Sequence, residues 1–150
     1  MKARGFALIE LVIVLAIGAI LLGIGIPTFE GLIDKNRLTV ALSQVEADLR
    51  KAQAMSKAIG ENIEVLFIPG NSEYYIFKHP PTSTPILLEK IQIPEGVRIY
   101  TNTAPANKIV YFGAYAESEV TGGTITFKSP RGKMGKVIVA SITGRIRIEK

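Results

Sequence analysis

The spacing of apolar residues changes twice along the chain. From Phe6 to Ile26 they run almost unbroken, with Glu10 the one charge among them, and no charged residue falls between Leu11 and Phe29. As a helix, Phe6–Ile26 would measure about 32 Å at roughly 1.5 Å per residue, close to the ~30 Å hydrocarbon core of a bilayer. The stretch is membrane-competent. From Thr28 to about Ile59 the period becomes helical and amphipathic, with Leu38, Leu42, Val45, Leu49 and Ala52 forming one apolar stripe. Glu46, Asp48, Arg50, Lys51 and Lys57 fall off that stripe and are expected in solvent. Gly60 is the natural stop. Beyond it the period is two: "NIEVLFI", "YYIFKH", "ILLEKIQI", "VRIY", "KIVYFG", "GGTITFK", "KVIVASI" and "RIRIE" read as short strands separated by turn residues. The pattern predicts a long helix followed by β-sheet, the stripe packing on a sheet of the same chain. Pro27 lacks an amide hydrogen, so a bend or local melting is expected there.

Glu10 is the residue this pattern does not explain. An acid near the centre of a membrane helix costs about 2.5–3.5 kcal/mol, somewhat less near an end, and such residues usually face a partner. A secretory signal peptide would be shorter and end in a small-residue cleavage site, which "GIPTFEG" does not supply. A plain anchor fits the length but leaves the acid unexplained. A third reading supplies a partner. If the chain is cut between Gly5 and Phe6, the new α-amino group lies one turn from Glu10. In a bundle of parallel, staggered helices, Glu10 of one copy then neutralises the amine of the next, and the cost of an unpaired buried charge selects that register.

"MKARG" followed by "FALIELVIVLAI" resembles the N-terminal signal of type IV pilins and pseudopilins: a short basic leader ending in Gly, then Phe, an acid four residues on, and an apolar helix. Ala7 stands where Thr is frequent. The resemblance implies cleavage between Gly5 and Phe6 by a prepilin peptidase, N-methylation of Phe6, an assembly role for Glu10 and a helix-bending Pro27. It implies an α+β, pilin-like fold: residues 1–5 a cleaved leader, 6–27 a transmembrane and filament-core helix, 28–60 its amphipathic second half, 61–150 an antiparallel β-rich globular domain. "GGTITFKSPRGKMGKVIVASITGRIRIEK" is similar to the closing segment of the H-type minor pseudopilins of type II secretion and of FimT-like minor pilins, with Gly144-Arg145-Ile146-Arg147 at its Gly-Arg-x-Arg ending. The implied protein is a structural minor subunit of a pseudopilus or type IV pilus, single-pass in the inner membrane with its globular domain outside the cytoplasm. Its implied partners are other pilin subunits, the prepilin peptidase, an inner-membrane assembly platform and lipid. A bitopic membrane protein that never polymerises is the plainer alternative.

Charge sharpens one question. The formal net charge of +5 is uneven: residues 6–127 carry nine Lys and Arg against twelve Asp and Glu, whereas 128–150 carry seven against Glu149 alone. Lys128, Arg131, Lys133, Lys136, Arg145 and Arg147 are therefore expected to form a cationic patch, with Arg145 and Arg147 on one side of an alternating strand. Such a patch suits phosphate contacts, and the FimT-like resemblance implies double-stranded DNA and a role in DNA uptake as an alternative function. A solvated face paired with Glu117 or Glu119, or a contact to another subunit, is the bland reading, and the lack of nearby aromatics favours it. Cysteine is absent, so no disulfide or thiolate chemistry arises. The one histidine, His79, sits beside a proline-rich loop and reads as solvated. No paired carboxylates, activated serine, phosphate loop or calcium loop appears, so neither an enzyme nor a cofactor or metal site is expected.

Overall fold

In a computed structural model the described residues form one α-helix, one short 3-10 helix (Pro105–Asn107) and eight strands. The structure describes residues 3–80, 84–111, 113, 120–141 and 143–150, excepting the side chains of 3–7 and 24–28. Helix α1 spans Ala3–Ile59. It ends at Gly60, whose positive φ of 68° and N–H donation to the Ser56 carbonyl at 3.0 Å close the last turn. The helix continues through Pro27, so of the bend or local melting expected there, the melting does not occur. Proline removes one donor, and the ladder on either side carries the helix past it.

Two units divide the chain, residues 1–34 and 35–150. In the first, large apolar side chains from Leu8 to Leu22 are all more than half exposed. Among the described residues no helix is long and apolar enough to cross a membrane.

The second unit holds the core. Strands β1 (Asn62–Phe67), β2 (Glu73–His79), β3 (Ile86–Gln92) and β5 (Lys108–Tyr111) form one antiparallel sheet in the order β3-β2-β1-β5. Strands β4 (Arg98–Asn102), β6 (Gly123–Lys128), β7 (Met134–Val139) and β8 (Ile146–Glu149) form a second, in the order β4-β6-β7-β8. The eight alternating runs all become strands, but they divide between two sheets. Alternation assigns a face to each residue and says nothing about which strand it pairs with. The helical stripe behaves as its spacing requires: Leu38, Leu42, Val45, Leu49 and Ala52 are buried with the inner residues of both sheets in one cluster.

The helix meets the two sheets differently. Toward the first it makes polar ties: Lys51 to Glu89 at 2.8 Å, Gln44 Nε2 to the Gln92 carbonyl at 3.1 Å, and the Tyr74 hydroxyl donating to Asp48. Asp48 and Lys51, expected merely in solvent, are partners of this sheet. Burial, reinforced by the Asp48 carboxylate, pushes the Tyr74 hydroxyl pKa well up. Toward the second sheet the approach is apolar and close. A first side-chain carbon at Gly135 would sit 2.5 Å from Leu42 Cδ1, so the glycine lets β7 lie against the helix there without displacing the Leu42 side chain.

Candidate functional site

Alternation in the second sheet sends Ile99, Ile125, Phe127, Val137, Val139 and Ile146 inward, all buried. The opposite face is cationic. Arg98 on β4 is the cross-strand partner of Lys128 on β6; Thr126 pairs with Lys136 on β7; Lys136 and Ile138 pair with Glu149 and Arg147 on β8. Arg145, just before β8, is exposed on the same side as Arg147, with buried Ile146 between them. Lys128, Lys136, Arg145 and Arg147 are thus brought to one face, as their sequence pattern predicted. Arg131 and Lys133 are not. They lie in the β6–β7 turn, where the Ser129 N–H donates to the Lys133 carbonyl at 2.9 Å and the Gly132 N–H to Ser129 at 3.0 Å. Both carry further interactions of their own.

The ion pairing of this face is sparse. Arg147 donates to Glu149 two residues on. Arg98, Lys128, Lys136 and Arg145 have no carboxylate partner among the described residues. Lys128 Nζ stands 5.0 Å from the centroid of the Tyr100 ring, a cation–π contact. That aromatic corrects the expectation that none lies near the basic residues. Arg98 and Tyr100 escaped the sequence reading because they are some 30 positions before the basic segment, and only β4–β6 pairing unites them with it. Glu117 and Glu119, the acids proposed to neutralise the patch, lie outside the described residues.

The first sheet contrasts with this. Its Glu64 points away from the core residues Ile63 and Val65, yet it is only 5% exposed, held by Lys108 at 3.0 Å with His79 Nε2 2.9 Å from the same carboxylate. His79 ends β2 and faces an acid, so it is not the solvated loop residue expected; the cross-strand Asn62–His79 register places it beside β1. Lys78 pairs with Glu61 at 3.1 Å and Lys90 with Glu73 at 2.8 Å. The Lys90 ammonium, with help from the Tyr75 hydroxyl, holds the Glu73 carboxyl below the usual glutamate range, and Glu73 in turn raises Lys90.

In the first unit Glu10 is exposed on α1 among Leu8, Ile9 and Leu11. The side chains of Phe6 and Pro27 lie outside the described residues. No group of three His, Cys, Asp or Glu gathers as a metal site among the described residues.

Residues 1–26 match the model of the prokaryotic N-terminal methylation motif. The fold is similar to that of the minor pseudopilin EpsH of the Type 2 Secretion System of Vibrio cholerae. That likeness has a TM-score of 0.61 and 11% identity, covering 75% of this chain and 96% of EpsH. It is similar also to the type IV minor pilin FimU of Pseudomonas aeruginosa strain PAO1, with a TM-score of 0.60 and 16% identity over 79% of this chain and 92% of FimU. The fold is pilin-like, one long N-terminal helix with an antiparallel β domain, and the chain carries the methylation motif at its start. A comparison with curated proteins finds no match. Glu10 lies on the exposed helix of the first unit, and the cationic face belongs to the second sheet.

Proposed function

We propose that the chain is a structural minor subunit of a type II secretion pseudopilus or a type IV pilus, assembled through its N-terminal helix. The observation that carries this reading is the helix from Leu8 to Leu22. Eleven large apolar side chains there are more than half exposed on all sides of α1, and Glu10 is the one charge among them. So much uncovered apolar surface requires lipid or the helices of other subunits. Within this reading a prepilin peptidase cuts between Gly5 and Phe6 and Phe6 is N-methylated. Before assembly the helix spans the inner membrane with the β domain outside the cytoplasm. On docking, Glu10 neutralises the α-amino group of the neighbouring copy, and Pro27 eases the helix into the packed filament. An inner-membrane platform drives that step, and no catalytic role is assigned to the chain.

The test is Glu10→Ala expressed in the native host. The variant is expected to be cleaved and to remain in the membrane fraction, but to be missing from sheared filaments. Incorporation equal to wild type overturns the assembly role. A native chain whose mass retains residues 1–5 overturns the filament reading altogether in favour of a bitopic protein.

One observation favours a second reading. Arg98, Lys128, Lys136 and Arg145 share a face with no carboxylate partner among the described residues. A filament subunit displaying that face has a surface for the phosphates of double-stranded DNA, each contact adding salt-sensitive affinity.

A further inference from the structure

At the β4 edge of the second sheet, the cationic face folds into a hollow of about 470 Å³, lined by Arg98, Ile99, Tyr100, Lys128, Ser129 and Pro130 together with Gly70 and Gly96. That volume falls within the range of small-molecule sites. Its walls are fixed. The turn after β1 is stitched to β4, the Gly70 N–H donating to the Ile99 carbonyl at 2.7 Å and the Ile99 N–H to the Asn71 carbonyl at 3.0 Å. On the other side Gly96, with φ of 84°, abuts Pro130 so tightly that a Cβ would lie 2.5 Å from Pro130 Cγ. Only glycine satisfies both the backbone angle and the contact.

Two kinds of chemistry meet in this hollow. Arg98 and Lys128 are cross-strand neighbours, no acid is among the lining residues, and neither cation has a carboxylate partner among the described residues. Two cations held side by side without a counter-charge recruit an oxyanion. Beside them stand the half-exposed Tyr100 ring and the Pro130 ring, flat apolar surfaces for which an inorganic anion has no use. The combination fits a phosphate joined to a planar ring, the phosphate between Arg98 and Lys128 and the ring against the part of Tyr100 that Lys128 leaves open.

We propose that this hollow binds a nucleoside 5′-phosphate, supplied either as free nucleotide or as the phosphorylated end of a nucleic-acid strand. The site is independent of the filament reading, because it lies wholly in residues 35–150 and uses neither Glu10 nor the helix surface. It also differs from general attraction of duplex DNA to the cationic face, because it requires Tyr100 and a terminal phosphate.

The full chain in detergent micelles is titrated with AMP, with adenosine and inorganic phosphate as single-feature probes, by ligand-observed NMR and calorimetry. Saturable AMP binding in the millimolar range or tighter is expected, with both single-feature probes clearly weaker. Arg98→Ala and Lys128→Ala each reduce affinity by about tenfold or more, and Tyr100→Ala by about tenfold. Arg98→Lys, which keeps the charge, restores part of the loss, and melting curves verify that each variant is folded. A 5′-phosphorylated oligonucleotide that binds better than its unphosphorylated form, where AMP is weak, assigns the strand end as the source. The proposal fails if neither AMP nor the phosphorylated end binds saturably. It fails equally if folded Arg98→Ala binds like wild type, or if Arg145→Ala, at the far edge of the sheet, weakens AMP as much as Arg98→Ala does.

Discussion

The two sheets share one core but differ in how their surface charges are paired. Around the first, basic groups are answered by acids: Lys51 by Glu89, Lys78 by Glu61, Lys90 by Glu73, Lys108 by Glu64. Across the second, Arg147 alone is matched, by Glu149, while Arg98, Lys128, Lys136 and Arg145 have no acid partner among the described residues. Both sheets cover the same apolar interior, so folding alone does not call for the difference. Charges that serve the domain's own structure find partners within it. Charges left open on one side of a well-packed sheet are available to something outside.

The contrast can be broken where it is strongest, at Glu64. Its carboxylate is buried and has two basic neighbours, so Glu64→Ala strips Lys108 of its counter-charge and His79 of its carboxylate contact in a partly enclosed place. Both basic groups keep about a third of their surface in water, which limits the damage. A loss of about 2 kcal/mol in urea unfolding is expected; a loss below about 0.5 kcal/mol would erase the distinction between the faces. Tyr74→Phe sharpens the same comparison where the first sheet meets the helix. Losing the hydroxyl's bond to Asp48 is expected to cost about 1 kcal/mol at neutral pH. The folded state holds the Tyr74 proton more tightly than the unfolded chain does. Wild-type stability therefore stays level below the unfolded tyrosine value near 10 and falls as pH rises above it. The variant shows a shallower alkaline fall, not a flat one, since burial also raises Tyr111. An unchanged alkaline slope contradicts this account. The smallest stability effect belongs to the second sheet. Lys136→Ala with Arg145→Ala is expected to change stability by no more than about 0.5 kcal/mol, since neither has a partner to lose. Retention on duplex DNA should nevertheless weaken and lose part of its salt dependence. Equal retention by wild type and double variant removes the DNA reading.

Much of this architecture was legible in the chain. The stripe from Leu38 to Ala52 announced which side of the helix is buried, Gly60 marked its end, and alternation located all eight strands. What could not be read was pairing. Nothing local to "VRIY" says that it joins the basic C-terminal segment, so Arg98 and Tyr100 went unnoticed. Likewise His79 looked solvated because the residues after it are prolines, while its neighbour Glu64 is 15 positions earlier and reaches it only through the β1–β2 register. Pro27 does not melt the helix: a residue that disfavours helix in isolation is carried when long helix flanks it on both sides. Glu10 stands out in sequence because its context is so apolar.

Because Leu42 and Leu49 are fully enclosed by the β domain, the second half of α1 is not a stalk to which a separate head is attached. A soluble fragment for crystallisation or NMR has to begin near Lys35, at the division between the two units. Trimming back to the first strand at Asn62 would instead open the interior to water and yield no domain to study.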